Sequence, residues 1–494
     1  MMFLMDPLLT ANLWWAIAFA VDLAIKITAL ILIPRGRKPT AAMAWLLAVF
    51  LIPYIGILLF LLIGSVRLPA ARRREQALID SIIHDRVKGS AAIADTTTWP
   101  RWFQRIAQQN EALTSLPAVS GNRARLIGEY QASIDAMAAA IDVAERFVHV
   151  EFYIVGWDDT TRGFFAAMES AVARGVTVRL LADWLASRKI PKSDETFAEL
   201  DRIGVTWSWM LPVEPFKGKY QRPDLRNHRK LVVIDGRVGF MGSQNLIARD
   251  YDSPKNAKRG LMWQELMTHL EGPVVAGLNT VFLSDWLIET GDRVDDEHVA
   301  ADRVTADAAS DALVCQIVPS GPAYVTENNL RLFLSLIYGA TERVIITSPY
   351  FVPDEAMVYA ITTACRRGLE VQLFVSEIGD QGLVYHAQRS YYSALLEAGV
   401  RIFLYPAPYI LHAKHFSIDD DIAVIGSSNM DIRSFSLNME VSMMVRGESF
   451  VAQMREVEQG YRDAGRELTL AEWRREPVKA TFLDGLARLT SALN

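Results

Sequence analysis

The chain has 494 residues, with 51 Lys and Arg against 57 Asp and Glu and a formal net charge of −6. That length predicts two to four domains with ample apolar material for large cores, and the acidic balance excludes a nucleic-acid binder that works by general electrostatic attraction, though not a local basic site. The two cysteines, Cys315 and Cys365, exclude a disulfide framework or zinc-type cluster and are expected as small buried hydrophobes.

In chain order, residues 8–33 form an apolar run interrupted by Asp22 and Lys26, which lie one helical turn apart and can pair on a face turned to a partner helix. Residues 41–64, AAMAWLLAVFLIPYIGILLFLLIG, form an uncharged run long enough to cross a bilayer. The two runs predict a transmembrane hairpin over residues 1–66, joined by the basic turn Arg35-Gly36-Arg37-Lys38, rather than a cleaved signal. Arg67, Arg72, Arg73 and Arg74 follow the second run, which tilts the positive-inside balance slightly towards a cytoplasmic catalytic part. Residues 67–120 read as a juxtamembrane connector. Within it Trp99, Trp102, Phe103 and Ile106 recur at helical spacing, with Arg101 and Arg105 elsewhere on the wheel. Such a helix fits an interfacial position on the membrane and packing against the domain equally well.

Beyond the connector the chain repeats itself. ERFVHVEFY (145–153) matches ERVIITSPYF (342–351), an apolar strand ending in an aromatic pair. FFAAMESAVARGVTVRLLAD and MVYAITTACRRGLEVQLFVS follow, each a helix closed by Arg-Gly, at 174–175 and 367–368, before another strand. LDRIGVTWSW (200–209) then matches LEAGVRIFLY (396–405). Each half reads β-α-β-α-β and then a hairpin. This predicts an α/β fold of two similar sandwich lobes, residues 121–310 and 311–494, packed about a pseudo-twofold axis.

The first hairpin is HRKLVVIDGRVGFMGSQN, residues 228–245. Its Val- and Ile-rich run favours a strand, and strand alternation puts His228 and Lys230 on one face. Asp235-Gly236 predicts a tight turn. Gly242 lets the returning backbone approach a neighbour, with Ser243 and Asn245 beside it. HAKHFSIDDDIAVIGSSN, residues 412–429, repeats the pattern as His412, Lys414, Asp419, Gly426, Ser427 and Asn429 at identical spacing. Chance does not produce that.

Two lysines, two asparagines and two serines converging on one point form a site for a tetrahedral anion such as a phosphoryl group. Two histidines on opposite sides of it suit in-line displacement: one neutral, attacking phosphorus, the other protonated, releasing the leaving alcohol. No carboxylate cluster accompanies them and the lysines would repel a divalent cation, so neither metal nor cofactor is expected.

HxKxxxxD followed by GSxN, twice, resembles the signature of the phospholipase D superfamily, and nearly the whole chain resembles the two-motif bacterial cardiolipin synthase family. RKPTAAMAWLLAVFLIPYIGI, RPDLRNHRK, PSGP (319–322), SPYFVPD (348–354), LHAKH and SSNMDIRSFSLNMEV carry the resemblance. It implies two pseudo-symmetric phospholipase D-like lobes behind the transmembrane hairpin. The implied reaction moves a phosphatidyl group from one phosphatidylglycerol to another through a phosphohistidine, releasing glycerol. His228 would carry the phosphatidyl group, with His412 as acid and then base. Lys230, Lys414, Asp235 and Asp419 complete the catalytic motifs, and Ser243, Asn245, Ser427 and Asn429 would bind phosphate. Turn formation is a competing reading of both aspartates, and scaffolding is favoured for them. The family also implies crossed histidine-orienting carboxylates, Glu440 for His228 and Glu265 for His412, the latter at a position commonly Asp in relatives.

The implied partners are a phospholipid and the bacterial inner membrane, in a multi-pass arrangement with cytoplasmic lobes and no nucleic acid. Self-association is neither required nor excluded. Neighbouring readings are a phospholipase D-type transferase or hydrolase with another donor or acceptor and, more distantly, a membrane-anchored nuclease. Of the other histidines, His415 is expected packed or exposed, and His386 near the entrance or on a helix surface. His84, His149, His269 and His298 are expected to be structural. Trp207, Trp209, Met210 and Phe216 fit either a lipid-contacting lip or aromatic core packing.

Overall fold

The computed structural model describes residues 7–37, 39–64, 92–214, 219–294, 312–324 and 327–490. Lys38, Arg67, Arg72, Arg73, Arg74, His84, Phe216, His298 and the boundary at 310–311 lie outside the described residues.

One sheet of fifteen strands runs through both lobes. At its centre Val119–Ile127 and Leu313–Ser320 pair antiparallel. Outward from the first come Met267–Glu271, Val238–Gly242, Lys230–Ile234, Phe147–Phe152, Thr177–Asp183 and Thr206–Met210. Outward from the second come Glu440–Arg446, Ile422–Gly426, His415–Ile418, Arg343–Thr347, Glu370–Ser376 and Arg401–Tyr405, with Arg466–Leu468 added at that edge. The two halves are mirror lists of one another, which is the pseudo-twofold relation the repeat predicts. The repeat-based reading missed the seam strand of each lobe and the strand after each hairpin.

Helices cover both faces of the sheet. Val274–Thr290 and Glu448–Ala464 cover one face with a core shared by the lobes, in which Phe282 and Trp286 join Phe450 and Met454. The other face carries separate cores. In the first lobe Tyr130–Asp142 and Arg162–Ala173 bury Ile134, Phe164 and Met168. In the second, Asn328–Gly339 and Glu355–Arg366 bury Leu332, Phe333 and Met357. The helix Arg101–Thr114 belongs to this second core: Phe103 and Ile106 are buried with Phe333 and Leu336, and Trp99 and Trp102 pack against them. Packing on the domain, not a position on the membrane surface, accounts for its aromatic stripe.

The apolar N-terminal region departs from expectation. Pro7–Leu32 is one long helix, and Trp14–Leu32 is the only stretch among the described residues long and apolar enough to cross a bilayer. Lys26 Nζ lies 2.7 Å from Asp22 Oδ2, and 5.8 Å from the centre of the Phe50 ring on the next helix. The run 41–64 is not a single spanning helix. It forms two short ones, Pro39–Leu51 and Pro53–Ile63, separated at Ile52 (φ −135°, ψ 72°). Pro53 cannot continue the helical ladder and drives its predecessor out of helical conformation. The chain then doubles back. Trp45 meets Phe60 edge-on at 5.6 Å, and a Cβ on Gly56 would lie 2.7 Å from the Val49 Cα.

The catalytic hairpins depend on a similar close approach. A Cβ on Gly242 would lie 2.3 Å from the Leu266 carbonyl oxygen, and one on Gly426 2.2 Å from that of Val441. Each glycine therefore lets its strand meet the next one, which follows a glutamate. Gly242→Ala should cost roughly 1–3 kcal/mol through forced strand displacement. Gly163→Ala, on the helix Arg162–Ala173 with nothing within 4 Å of its Cβ, should be neutral or stabilise by up to about 1 kcal/mol. Chemical denaturation of the two variants checks this; equal effects would contradict it.

Candidate active site

Each histidine is placed by the opposite lobe. The His228 N–H donates to the Met439 carbonyl at 2.8 Å, and the Met439 N–H donates to the Arg226 carbonyl at 2.9 Å. The His412 N–H donates to the Gln264 carbonyl at 2.7 Å, continuing the parallel pairing of Tyr409–Leu411 with Met262–Gln264. The residue after each acceptor is a glutamate. Glu440 therefore reaches His228, with Nδ1 3.0 Å from both carboxylate oxygens. Glu265 reaches His412, with Nδ1 2.7 Å from Oε1. Both pairs cross the pseudo-twofold axis, and all four side chains are buried.

Both lysines are held by their own motif. Lys230 Nζ donates to the His228 carbonyl at 2.6 Å and lies 5.3 Å from the centre of the Tyr153 ring. Lys414 Nζ donates to the His412 carbonyl at 2.6 Å and stands 3.1 Å from both nitrogens of that ring.

Burial shapes the electrostatics. It pushes His228 down to about 4 against the pull of Glu440, with Lys230 and Lys414 adding to the depression. His412 is held well below the ordinary range by burial and then by Lys414 and Lys230. Lys414 is lowered to about 8 by burial, and Lys230 falls well below the usual lysine range through burial and the neighbouring Lys414 charge. The carboxylates diverge. Burial lifts Glu265 to about 7, whereas for Glu440 the attraction of His228 and Lys230 outweighs burial and keeps it below the usual range. Among the described residues no three His, Cys, Asp or Glu side chains gather as a metal-ligand set.

The serines and asparagines lie at the site but are already engaged. The Ser243 hydroxyl donates to the Leu266 carbonyl and accepts from the Leu266 N–H at 2.9 Å. Ser427 Oγ donates to Glu440 Oε2 at 2.6 Å and accepts from the Val441 N–H at 3.0 Å. Their visible work is locking the glutamate-bearing strands. Asn245 donates to the Tyr251 hydroxyl at 2.9 Å and Asn429 to Asp431 Oδ2 at 3.1 Å.

Asp235 and Asp419 do not join the histidines. They occupy the hairpin turns, both at positive φ, at the far end of the motif strands. The Asp235 carboxylate accepts from the N–H groups of Glu145, Arg146 and Phe147 at 2.8–2.9 Å. Asp419 does the same for Thr341, Glu342 and Arg343. Each aspartate thus clamps its hairpin to the start of the neighbouring strand, the scaffolding role that turn chemistry favours.

Tyr153 and Tyr350 were missed. Their rings stand edge-on to His228 at 5.0 Å and His412 at 6.2 Å. Both come from the aromatic pairs that end the repeated strands, so the signal was present. Arg229, between His228 and Lys230, points the other way: Nε donates to the Glu440 carbonyl at 3.1 Å and Nη1 pairs with Asp285. Ala413 fills this place in the second lobe. His415 is buried, and burial pushes it down to about 3. His386 lies on a helix and bonds Asp484 at 2.7 Å. His149 stacks on Phe282 in the core, and His269 stands edge-on to Phe240. Trp207 and Trp209 pack on Phe197 and on each other, so core packing explains them. Cys315 is buried and Cys365 half-buried.

Comparison with known proteins shows the family and the fold. The family described as cardiolipin synthase, PLD-like domain, matches residues 137–272 and 333–459, and the phospholipase D-nuclease N-terminal family matches 24–65. Cardiolipin synthase A of Serratia proteamaculans is 30% identical over 482 residues, covering 97% of this chain and 98% of that one. The Proteus mirabilis protein of the same name is 29% identical, covering 99% and 100%. Among solved structures, phosphatidylserine synthase of Haemophilus influenzae shares the fold at 14% identity, with a TM-score of 0.58 over 78% of this chain and 98% of that one.

The turn clamps can be tested apart from the chemistry. Asp235→Ala removes the acceptor of three N–H groups and should lower stability by about 2–3 kcal/mol. Turnover per folded molecule should hold. A stable variant whose kcat has collapsed would return Asp235 to the catalytic group.

Proposed function

The chain belongs to the cardiolipin synthase family of phospholipase D-like proteins, and from that premise we propose that it transfers a phosphatidyl group from one phosphatidylglycerol to another, giving cardiolipin and glycerol. The observation that carries the reading is the pair of crossed, buried His–Glu contacts flanked by two lysines. Lys230 and Lys414 bind the phosphodiester anion and supply the charge that a cation would otherwise provide.

His228 is the nucleophile. Glu440 takes up its Nδ1 at 3.0 Å, which leaves Nε2 with the lone pair that attacks phosphorus. The bond from phosphorus to the glycerol oxygen breaks, and His412 delivers the proton that lets glycerol leave. A second phosphatidylglycerol then gives its hydroxyl proton to His412, its oxygen attacks phosphorus, and the N–P bond to His228 breaks. Protons balance over the cycle, and no cofactor is consumed.

His412 is neutral in the empty site because burial and two ammoniums oppose its charge. A bound phosphodiester offsets those ammoniums and restores its proton affinity, so the substrate itself arms the acid. Glu265, lifted to about 7, is the neighbouring proton store. The enzyme works at the bacterial inner membrane with its lobes on the cytoplasmic side.

The two histidines should fail differently. Each alanine variant should lose several orders of magnitude of turnover, as cooperating catalytic groups do. Given a lipid whose leaving group needs no acid, His412→Ala should accumulate a phosphatidyl-enzyme visible by intact mass, and His228→Ala should show none. An adduct on His412 in the His228→Ala protein would reverse the roles.

The pH profile offers a separate check. Lys414 carries its charge below about 8 and loses it above, so kcat/KM should decline as pH rises through that value. Lys414→Arg keeps its charge throughout that range. It should be slower overall and lack that limb; an identical alkaline limb in the variant would assign it to another group.

A further inference from the structure

We infer that residues 39–63 form a re-entrant hairpin that enters and leaves the membrane on one face, so that the chain crosses the bilayer once and the active site lies on the face of the Arg35–Arg37 turn. The two helices contain 13 and 11 residues. At about 1.5 Å per residue they rise roughly 20 and 17 Å, short of the ~30 Å hydrocarbon core. End to end they could span it, but they lie side by side and antiparallel. Contacts along their length fix this: Val49 against Gly56, Trp45 against Phe60, and Arg37 against Gly64 at the open end. Arg37 Nη1 also donates to the Ile33 carbonyl at 2.8 Å, so one guanidinium ties together the end of the first helix, the turn and the end of the hairpin.

The reversal meets the demands of lipid. Proline brings no N–H to leave unsatisfied. The Ile52 N–H donates to the Ala48 carbonyl at 3.0 Å and the Gly56 N–H to the Ile52 carbonyl at 2.7 Å. Inward residues Ala29, Ile33, Ala42 and Val49 are buried, while Leu47, Leu51, Tyr54 and Leu61 are exposed as lipid-facing residues should be. Near the tip, Phe50 faces Lys26 of the Asp22–Lys26 pair, so the hairpin covers one side of the ion pair on the spanning helix.

The arrangement also settles the charge balance that a two-span hairpin leaves nearly even. Arg35, Arg37 and Lys38 precede the hairpin, and Arg67, Arg72, Arg73 and Arg74 follow it. In a re-entrant fold both groups emerge on one face. Residues 65–91 are interrupted by charges from Arg67 to Lys88 and hold no spanning run. The positive-inside rule then places the turn and the lobes together in the cytoplasm.

Single cysteines introduced into the full chain test this in a Cys365→Ala background, since Cys315 is buried. The variants are Pro7→Cys, Arg35→Cys, Ile52→Cys and Ser65→Cys. They are probed with a membrane-impermeant maleimide on spheroplasts and on inverted vesicles. Arg35→Cys and Ser65→Cys should label only in inverted vesicles, Pro7→Cys only in spheroplasts, and Ile52→Cys in neither until detergent is added. Labelling of Arg35→Cys and Ser65→Cys from opposite faces would establish two crossings and overturn the hairpin. Labelling of both from outside would overturn the orientation. Reaction of Ile52→Cys without detergent would place the tip outside the membrane and also overturn the proposal. Labelling reports topology whatever the lipid chemistry, and retained turnover in each variant certifies its fold.

Discussion

The structure depends on two backbone hydrogen bonds that cross between the lobes, from the His228 N–H to Met439 and from the His412 N–H to Gln264. Because each acceptor immediately precedes a glutamate, a main-chain contact in one lobe delivers a carboxylate to the histidine of the other. Neither half can build a His–Glu pair alone. The antiparallel seam between Val119–Ile127 and Leu313–Ser320 puts the lobes in the one relation that satisfies both contacts. The conformational demands at Gly242 and Gly426 follow from it. Only without a Cβ can the returning strand come near enough to the glutamate-bearing strand to keep that carboxylate in place.

Repetition made much of this legible. Two motifs at identical spacing identified the histidines, the lysines and the turns, and the family resemblance implied the crossed pairing. What stayed hidden is tertiary in origin. The seam strand VSGNRARLI carries Asn122, Arg123 and Arg125, so it has no apolar run to announce a strand, yet both its edges pair. The serines were expected on phosphate because their residue type suits it. Their actual partners, Leu266 and the Glu440–Val441 step, are long-range neighbours that spacing cannot reveal. The second apolar run has the hydropathy of a spanning helix. Only the contacts of Gly56 and Phe60 distinguish a straight crossing from a chain that doubles back.

Electrostatics give the site its preference for an anion. Lys230, Lys414, Glu265 and Glu440 are all nearly without solvent. Burial lowers both lysines and raises Glu265, as expected for charges taken out of water without enough partners. In the proposed reaction, the incoming phosphodiester relieves that condition by pairing with the ammoniums where no water competes. A neutral lipid would leave the lysines as they are. Under the proposed function, affinity for a charged headgroup and readiness for catalysis both trace to this one buried imbalance.

A symmetric scaffold nevertheless holds two unlike carboxylates, and the cause lies in a few side chains. Glu440 accepts from Ser427 Oγ at 2.6 Å and from Asn438 at 3.3 Å, and Arg229 holds its carbonyl. Against complete burial, His228 and Lys230, together with the Ser427 bond, keep it below the usual carboxylate range. Glu265 meets His412 through Oε1 while its Oε2 has no hydrogen-bond partner among the described residues, and Ala413 stands where the first motif has Arg229. Burial lifts Glu265 to about 7 against the pull of Lys414 and the Ser243 bond. The duplication supplied two copies of one His–Glu contact, and unequal surroundings leave them with unlike carboxylates.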